Sequence, residues 1–320
     1  MNYAVVLATY NGARHVQALL ESIARQSIRP QKIIARDDGS TDATRELATA
    51  AAQALGLPLE WLPGERQLGA CASFSETLRH ALDHPYIFLA DQDDLWVPEK
   101  ARVMLEALRD AEARFGEECP MLIHSDLVVV DENAAMMAPS FFRYQGFSFP
   151  QHSFASLLLQ NTATGCACAL NRSLARLALP IDPAAVMHDW WLALVAQAFG
   201  RKIVLPAALV LYRQHGGNTI GAKRWGLSHI VRRAVAVLTV RGARDVVGPL
   251  ARQSLAFSHR YGASLSVSLR QQLDAVSLLG SRRLSRRLLG VWRLRDAKQG
   301  LVRTAGLAVA AWRSDGAFPP

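Results

Sequence analysis

Long apolar runs are missing from this 320-residue sequence. A helix that spans a membrane needs about 18 consecutive apolar residues, and the longest candidates, 234–240 and 305–312, are far shorter. The apolar stretch that opens the chain has no basic segment before it, as a secretory signal would. The sequence therefore predicts neither a membrane-spanning helix nor a signal peptide.

Cysteine is scarce as well. The four cysteines, Cys71, Cys119, Cys166 and Cys168, form no C-x-x-C pair and show no metal-binding spacing with histidine. This pattern argues against a disulfide framework and against a zinc site. It predicts reduced thiols in the core of a cytosolic protein.

Acidic residues are nearly absent from the last third. The whole chain has a net charge of +9, but residues 1–221 have a balance of −5, whereas residues 222–320 have +14 and only four acids. Such an asymmetry suggests a surface that meets phosphates or anionic lipid. No nucleic-acid-binding motif accompanies the charge, so we expect no nucleic-acid partner.

The first part of the chain alternates between strand and helix patterns. Strand patterns at 3–8, 32–36, 59–62, 86–90 and 121–126 are separated by helix patterns at 13–26, 41–55, 69–84 and 98–115. This order predicts an α/β fold with a mostly parallel sheet flanked by helices. We predict one domain over residues 1–221 and a basic, mainly helical region over 222–320.

Polar residues follow three of the predicted strands. They are Thr9-Tyr10-Asn11, Asp37-Asp38-Gly39-Ser40 and Asp91-Gln92-Asp93-Asp94. Each group alone could be a turn or a helix cap, and a cap is the better interpretation of Asp42. Because ligands of open α/β sheets bind beyond the carboxyl ends of the strands, the three groups together predict a binding site at one sheet edge.

The acidic group after the fourth strand predicts a metal site. Three carboxylates within four residues repel one another unless a cation neutralises them. Asp91 and Asp93, two apart on an extended segment, can approach one ion from the same side. Hard oxygen ligands favour Mg²⁺ or Mn²⁺. The alternative is a solvated acidic turn before the helix that starts near Pro98.

These motifs, in this order and spacing, resemble the family 2 inverting glycosyltransferases, which have the GT-A fold. The resemblance covers about residues 1–220. It implies a nucleoside-diphosphate sugar donor and places Asp91 and Asp93 on the metal. It assigns donor-binding roles to nine residues: Thr9, Tyr10, Asn11, Asp37, Asp38, Arg66, Gly69, Asp91 and Arg213.

The resemblance also indicates the catalytic base, an acid at a helix start well after the Asp-x-Asp pair. Asp189 occupies that place and would take the proton of the acceptor hydroxyl. His188 stands where the family usually has a second acid. His188, Trp96 and Trp190 are candidates for contact with sugar or acceptor, although one of Trp190 and Trp191 should lie in the core because adjacent helical residues diverge.

Another implied role belongs to Tyr212-Arg213-Gln214-His215, where a related histidine or arginine reaches the metal or the diphosphate. His215 is therefore a third candidate metal ligand, against the alternative of a structural histidine. The Gln-x-x-Arg-Trp signature of processive polymerases is absent, which favours addition of one sugar per event.

Within the family, Asp91-Gln92-Asp93-Asp94-x-Trp96 and His188-Asp189-Trp190-Trp191 look like a rhamnosyltransferase-like branch of bacterial polysaccharide (O-antigen) assembly. This likeness implies transfer from dTDP-L-rhamnose to a lipid-linked glycan. The alternatives are a UDP-hexose transferase of the same fold, a nucleotidyltransferase, and a non-catalytic sugar-nucleotide-binding protein at the membrane surface.

Segment 281–292, which ends in Trp292, has arginines and apolar residues on partly separate helical faces. A basic amphipathic helix with tryptophan can lie in the interface of an anionic membrane. We therefore expect a cytoplasmic protein that is peripheral at the inner face of the cytoplasmic membrane. The alternative is that these helices pack on the catalytic domain and their arginines are solvated.

Overall fold

The computed structural model describes residues 2–64, 66–147, 153–214, 239–294 and 301–314. Contacts within the chain divide it into two compact units. The first contains Met1–Arg143, Ala163–Pro183 and Met187–Ala222, and the second contains Tyr144–Thr162, Ala184–Val186 and Lys223–Pro320. The domain boundary drawn from the sequence at 221/222 stays a prediction, and the two short internal segments of the second unit had no signal in the sequence.

Within the described residues, the first unit is built on a nine-stranded sheet. Strands β1 to β9 are Tyr3–Thr9, Lys32–Asp37, Leu59–Trp61, Tyr86–Asp91, Leu95–Trp96, Met121–Val130, Met136–Ala138, Cys168–Asn171 and Arg201–Arg213. Their order is β3-β2-β1-β4-β8-β6-β9-β5, and β7 pairs with β6. Strands β1 to β4 run parallel, whereas β8 is antiparallel to both of its neighbours.

The helices of the first unit are α1 to α5, α7 and α8: Val16–Ala24, Thr44–Leu55, Ala70–His80, Lys100–Phe115, Phe141–Tyr144, Arg172–Ala178 and His188–Phe199. Those of the second unit are α6 and α9 to α12: Phe154–Leu159, Val240–Tyr261, Val267–Ser277, Leu284–Arg293 and Leu301–Arg313. Among the helices of the described ranges, none is long and apolar enough to cross a bilayer.

The core of the first unit lies between the sheet and its helices. In β1 only Ala8 escapes full burial, as expected for a parallel strand covered on both faces. The apolar positions Val16, Leu19, Leu20 and Ile23 of α1 are all buried, in agreement with their helical spacing. The α/β architecture and the helical C-terminal region predicted from the sequence are confirmed.

Several boundaries differ from the predicted ones for local reasons. Helix α2 begins at Thr44 rather than Thr41, because the Asp42 carboxylate accepts hydrogen bonds from the backbone N–H and the hydroxyl of Thr44. Strand β6 continues beyond residue 126 because it pairs with β9 as far as Val130. A 3₁₀ turn, Gly165–Ala167, directly precedes β8.

Candidate active site

The carboxyl ends of β1 and β2 are joined by side-chain hydrogen bonds. Thr9 pairs with Asp37 across the two strands, and its Oγ1 donates to Asp37 Oδ1 at 2.7 Å. Ser40 donates to the same carboxylate through its N at 2.8 Å and its Oγ at 2.6 Å. Asn11 N donates to Ser40 Oγ at 2.8 Å, and Asn11 has a positive φ of 47°. Thr9, Asn11 and Asp37 therefore shape one loop surface, while the Tyr10 side chain is 47% exposed beside them.

Asp38 organises the loop that leads into α3. It accepts hydrogen bonds from Leu68 N at 2.7 Å, Gly69 N at 2.8 Å and Ser73 Oγ at 2.9 Å. It also forms a buried ion pair with Arg36. Burial would raise the pKa of Asp38, but these donors together hold it below its usual value. Asp38 is thus ionised and committed to positioning its neighbours.

Arg66 and Gly69 lie in this loop at the surface. Arg36 donates a hydrogen bond to the carbonyl oxygen of Arg66. The buried Arg36–Asp38 ion pair therefore fixes the position of this loop. Gly69 precedes α3 with a φ of 82°, which favours glycine. Both residues stand at the sheet edge near Asp38, and their predicted contacts with the nucleotide stay predictions.

The acidic loop follows β4. Loss of hydration, together with the charges of Asp93 and Asp189, raises the pKa of Asp91 to about 7. Burial likewise raises the pKa of Asp94 well above its usual range, with Asp93 and Asp91 contributing. Carboxylates that raise one another's pKa in this way favour a nearby cation.

Three potential ligand atoms converge there. Single ligand atoms of Asp91, Asp94 and Cys166 lie within 4.8 Å of one another. In the described part of the chain, Asp94 Oδ2 has no hydrogen-bond partner. Burial raises the pKa of Cys166 well above its usual value, so its sulfur stays a thiol and is a poor ligand for a hard cation. The two carboxylates fit Mg²⁺ or Mn²⁺, which prefer oxygen.

The geometry therefore adds Asp94 to the predicted ligands Asp91 and Asp93. Asp93 is half-buried in the same loop, and its role as a ligand stays a prediction. The third candidate ligand, His215, lies outside the described residues.

One short turn connects the acidic loop to the predicted base. The N–H of Gly165 donates to Asp189 Oδ2 at 2.9 Å, and the backbone of the next residue, Cys166, lies close enough to Asp91 to lower the pKa of that carboxyl. Asp189 is 8% exposed at the start of α8. The 3₁₀ turn thus holds the candidate base and the candidate metal ligand side by side. No sequence signal indicated this link.

His188 and the tryptophans separate into buried and accessible residues. His188 is 2% exposed and stacks on Phe74, with ring centroids 3.8 Å apart. Trp191 is fully buried, as predicted for one of the pair, and Trp190 is half-buried. Trp96 is 4% exposed and belongs to the core. The burial of His188 and Trp96 does not support direct contact with sugar or acceptor, because such side chains present almost no surface to a ligand.

Arg213 anchors the acidic loop. Its N donates to Asp94 Oδ1 at 2.9 Å, its Nε donates to the Asp93 carbonyl at 2.9 Å, and its guanidinium also bonds the Glu132 carbonyl. The side chain is 7% exposed. Arg213 is therefore close to the loop it was predicted to serve, and it holds the loop through backbone contacts. Its predicted contact with the diphosphate stays a prediction.

Lys100 is the residue that sequence reasoning missed. It is fully buried, and its Nζ donates to the Cys166 carbonyl at 2.5 Å and lies 3.5 Å from the centre of the Trp96 ring. Burial lowers the pKa of Lys100 to about 7, although Asp94 and Asp91 favour its charge. In sequence it looks like any lysine in the first turn of an exposed helix, so no local pattern distinguished it.

Comparison with known proteins finds similar sequences. Residues 4–115 match the model of glycosyl transferase family 2. An uncharacterized glycosyltransferase of Nostoc sp. is 24% identical over 225 residues, which cover 68% of this chain and 66% of that protein. Residues 4–115 of this chain are thus similar to glycosyltransferase family 2, a family of transferases.

Solved structures share the fold. S. aureus TarS, residues 1–349 in complex with UDP-GlcNAc, has a TM-score of 0.54 at 15% identity, with 98% of this chain and 90% of that chain covered. The mannosyltransferase PcManGT from Pyrobaculum calidifontis, in complex with GDP-Man and Mn²⁺, has a TM-score of 0.52 at 16% identity, with 97% and 84% covered. At these identities the likeness establishes the GT-A fold alone.

Proposed function

We propose that this protein transfers one sugar, with inversion, from a nucleoside-diphosphate donor to a hydroxyl of a glycan acceptor. The observation that carries the proposal is the Gly165–Ala167 turn, which binds Asp189 through the Gly165 N–H and has its Cys166 backbone beside Asp91. In the proposed reaction, Asp189 would act on the acceptor and Asp91 on the donor diphosphate. A binding protein without catalysis has no need for this pairing.

In the proposed reaction Asp189 acts as the general base. It takes the proton of the acceptor hydroxyl as that oxygen forms a bond to the anomeric carbon, while the bond from this carbon to the diphosphate breaks on the opposite face. The Gly165 N–H fixes one oxygen of Asp189 in place. Its neighbour His188 has a pKa lowered by burial to about 3, so it stays neutral and supplies no competing proton.

The donor would lie along the edge formed by β1, β2 and β4. Thr9, Asn11 and Asp37 shape the loop surface, and the exposed Tyr10 ring offers a face for a base or a sugar. Asp91 and Asp94, with Asp93 as a further ligand, would hold Mg²⁺ or Mn²⁺. When bound, such an ion stabilises the negative charge that develops on the leaving diphosphate.

We further propose dTDP-L-rhamnose as the donor and a lipid-linked glycan as the acceptor, with the protein peripheral at the inner face of the cytoplasmic membrane. This part rests on the motif likeness and on the basic last third of the chain. UDP-linked hexose is the alternative donor. Thermal shift with dTDP, UDP and GDP, each with and without Mn²⁺, separates them, because a ligand stabilises the folded state that binds it.

The test of the proposed base is Asp189→Asn, which preserves the shape and the bond from Gly165. We expect nucleotide binding within about twofold of the native protein and a loss of transfer of at least about 10³-fold, within the range for general-base catalysis. Asp110→Asn, an exposed position on α4, is the matched control. Unchanged turnover in Asp189→Asn would refute the assignment, and absence of transfer by the native protein with every donor would favour the binding protein.

A further inference from the structure

Helix α11 of the second unit presents its apolar side to solvent. Leu284, Leu288 and Trp292 follow one another at four-residue spacing and are 40%, 45% and 61% exposed, and the adjacent Leu289 is 40% exposed. Residues at this spacing share one face of a helix. A surface helix of a globular protein normally turns such a face toward the core. In α11 the apolar face points to solvent instead.

The contacts of the opposite side hold α11 in this orientation. At Gly290, an added Cβ would lie 2.6 Å from the carbonyl oxygen of Ala275, so only glycine permits this close approach to α10. Arg287 is 5% exposed, and its Nε donates to the Ala311 carbonyl of α12 at 2.6 Å and its guanidinium to the Ser281 carbonyl at 2.8 Å. The apolar side therefore cannot rotate inward without breaking these contacts.

A basic cleft lies along the same helix. It has a volume of about 540 Å³ and is lined by Arg286 and Arg293 of α11 and by Arg252 of α9, against one acid, Asp274. Arg286 and Arg293 are seven residues apart, which is two helical turns, so they share one side of α11. On the helix this side adjoins Leu289 of the apolar stripe. Three guanidinium groups facing one carboxylate leave an excess of positive charge in the cleft.

We propose that α11 docks this unit on an anionic lipid bilayer. The docking face consists of the apolar stripe, Leu284, Leu288, Leu289 and Trp292, together with the arginine cleft. The stripe would enter the boundary between headgroups and acyl chains, where the amphipathic ring of tryptophan is favoured. Lipid phosphates would occupy the cleft, because guanidinium groups bind phosphate oxygens bidentately.

Charge complementarity identifies the occupant. A partner protein could cover an apolar stripe, but the balance of +14 over residues 222–320 suits an extended anionic surface. The cleft places that charge beside the stripe instead of on a separate face. This inference specifies the membrane contact within the function proposed above, and it does not depend on which sugar is transferred.

The test is sedimentation of the full chain with vesicles of phosphatidylcholine, with and without phosphatidylglycerol. We expect binding only with the anionic lipid, weakened by salt. Arg286→Ala/Arg293→Ala should lower the vesicle affinity by roughly 30-fold, as expected for two arginines near an anionic surface. Arg241→Ala/Arg270→Ala removes the same charge from exposed positions outside the cleft and should lower it by less than about threefold.

A second variant, with its own control, tests the apolar stripe. Leu288→Ser/Trp292→Ser should lower vesicle affinity by at least about tenfold, because burial of apolar surface contributes to membrane binding. Met136→Ser/Met137→Ser alters two exposed apolar residues of the first unit and should leave it unchanged. Nucleotide-dependent thermal shift measured on each variant checks that the first unit is intact.

Several results would overturn the proposal. The first is that the native chain does not bind anionic vesicles. The second is that the cleft variant and its charge-matched control lose vesicle affinity equally. The third is that the stripe variant binds vesicles with native affinity. Tight binding of inorganic phosphate without vesicle binding would assign the cleft to a soluble phosphate and would also overturn it. Vesicle binding is read without any transfer assay, so a failure of sugar transfer is distinguishable from a failure of docking.

Discussion

The side-chain amide of Gln92 exchanges two hydrogen bonds with the backbone of Tyr10. Tyr10 N donates to Gln92 Oε1 at 2.9 Å, and Gln92 Nε2 donates to the Tyr10 carbonyl at 2.8 Å. Gly12 packs against the same amide so closely that a Cβ there would lie 2.1 Å from Gln92 Oε1. Gln92 therefore ties the loop after β1 to the acidic loop after β4, which are the proposed nucleotide and metal sides of the site.

We expect Gln92→Ala to lower the free energy of unfolding by about 1–2 kcal/mol, because two hydrogen bonds are lost. Nucleoside-diphosphate affinity should fall by roughly three- to tenfold as the two loops separate. Denaturant unfolding and titration calorimetry measure these effects. Gln53→Ala, at an exposed position of α2, is the control. A nucleotide affinity equal to that of the native protein would show that the tie is not needed for binding.

The acidic loop predicts a second outcome, for metal dependence. Asp91→Asn removes one of the two converging carboxylates, so the Mn²⁺ concentration that gives half of the nucleotide-dependent thermal shift should rise at least about tenfold. Asp110→Asn serves again as the control because it removes one negative charge at an exposed position of α4, outside the acidic loop. The same Mn²⁺ dependence in Asp91→Asn and in the native protein would contradict the metal site.

His188 predicts a dependence of stability on pH. Burial lowers the pKa of His188 from 6.5 to about 3 in the folded state. Between these values the unfolded chain binds more protons, so this contribution to stability is complete above pH 6.5 and is lost as the pH falls toward 3. Replacement of His188 by Phe or Asn should reduce the loss over that window. His80→Phe, at an exposed position of α3, should not.

Urea unfolding from pH 7 to pH 4 measures this effect. Native and His188 variants with parallel profiles would show that the imidazole is not buried as described. The acceptor KM of the same variants tests the predicted acceptor contact separately, because a packing residue that stays neutral should leave it unchanged.

Substitution of two helical glycines of the second unit by alanine should have opposite effects on stability. Gly290→Ala should destabilise the protein by about 1–3 kcal/mol, because its Cβ would meet the Ala275 carbonyl at 2.6 Å. Gly306→Ala in α12 should stabilise it by about 0.5–1 kcal/mol, because no atom of the described residues lies within 4 Å of the added Cβ and alanine favours the helix. Thermal unfolding compares the two. Equal and small effects would contradict the tight packing of α11 on α10.

Much of the fold was predictable because its signals are local. The periodicity of Val16, Leu19, Leu20 and Ile23 specifies the buried side of α1 without reference to other segments, and runs such as 3–9 and 86–91 specify buried parallel strands. Polar residues directly after such strands must lie at one sheet edge once the strands are parallel. The positions of Asp37 and Asp91 on either side of β1 follow from this rule.

Other features depended on segments far apart in the chain. The burial of Lys100 and Trp96 and the bond from Gly165 to Asp189 arise where four elements meet, and no local pattern encodes such contacts. In sequence, Asp94 cannot be distinguished from its acidic neighbours. Its contacts with Arg213 and Cys166, which come from distant segments, distinguish it in the structure.

The sequence by itself determined the α/β order, the acidic chemistry at the strand ends and the basic character of the last third, because periodicity, residue type and charge are properties of short segments. Only the tertiary structure decided which side chains are buried, which carboxylates converge and which side of α11 faces solvent. The physical reason is that hydration, and with it pKa and accessible surface, is set by whatever packs against a residue, as Gly290 and Arg287 show when they turn the leucines of their own helix outward.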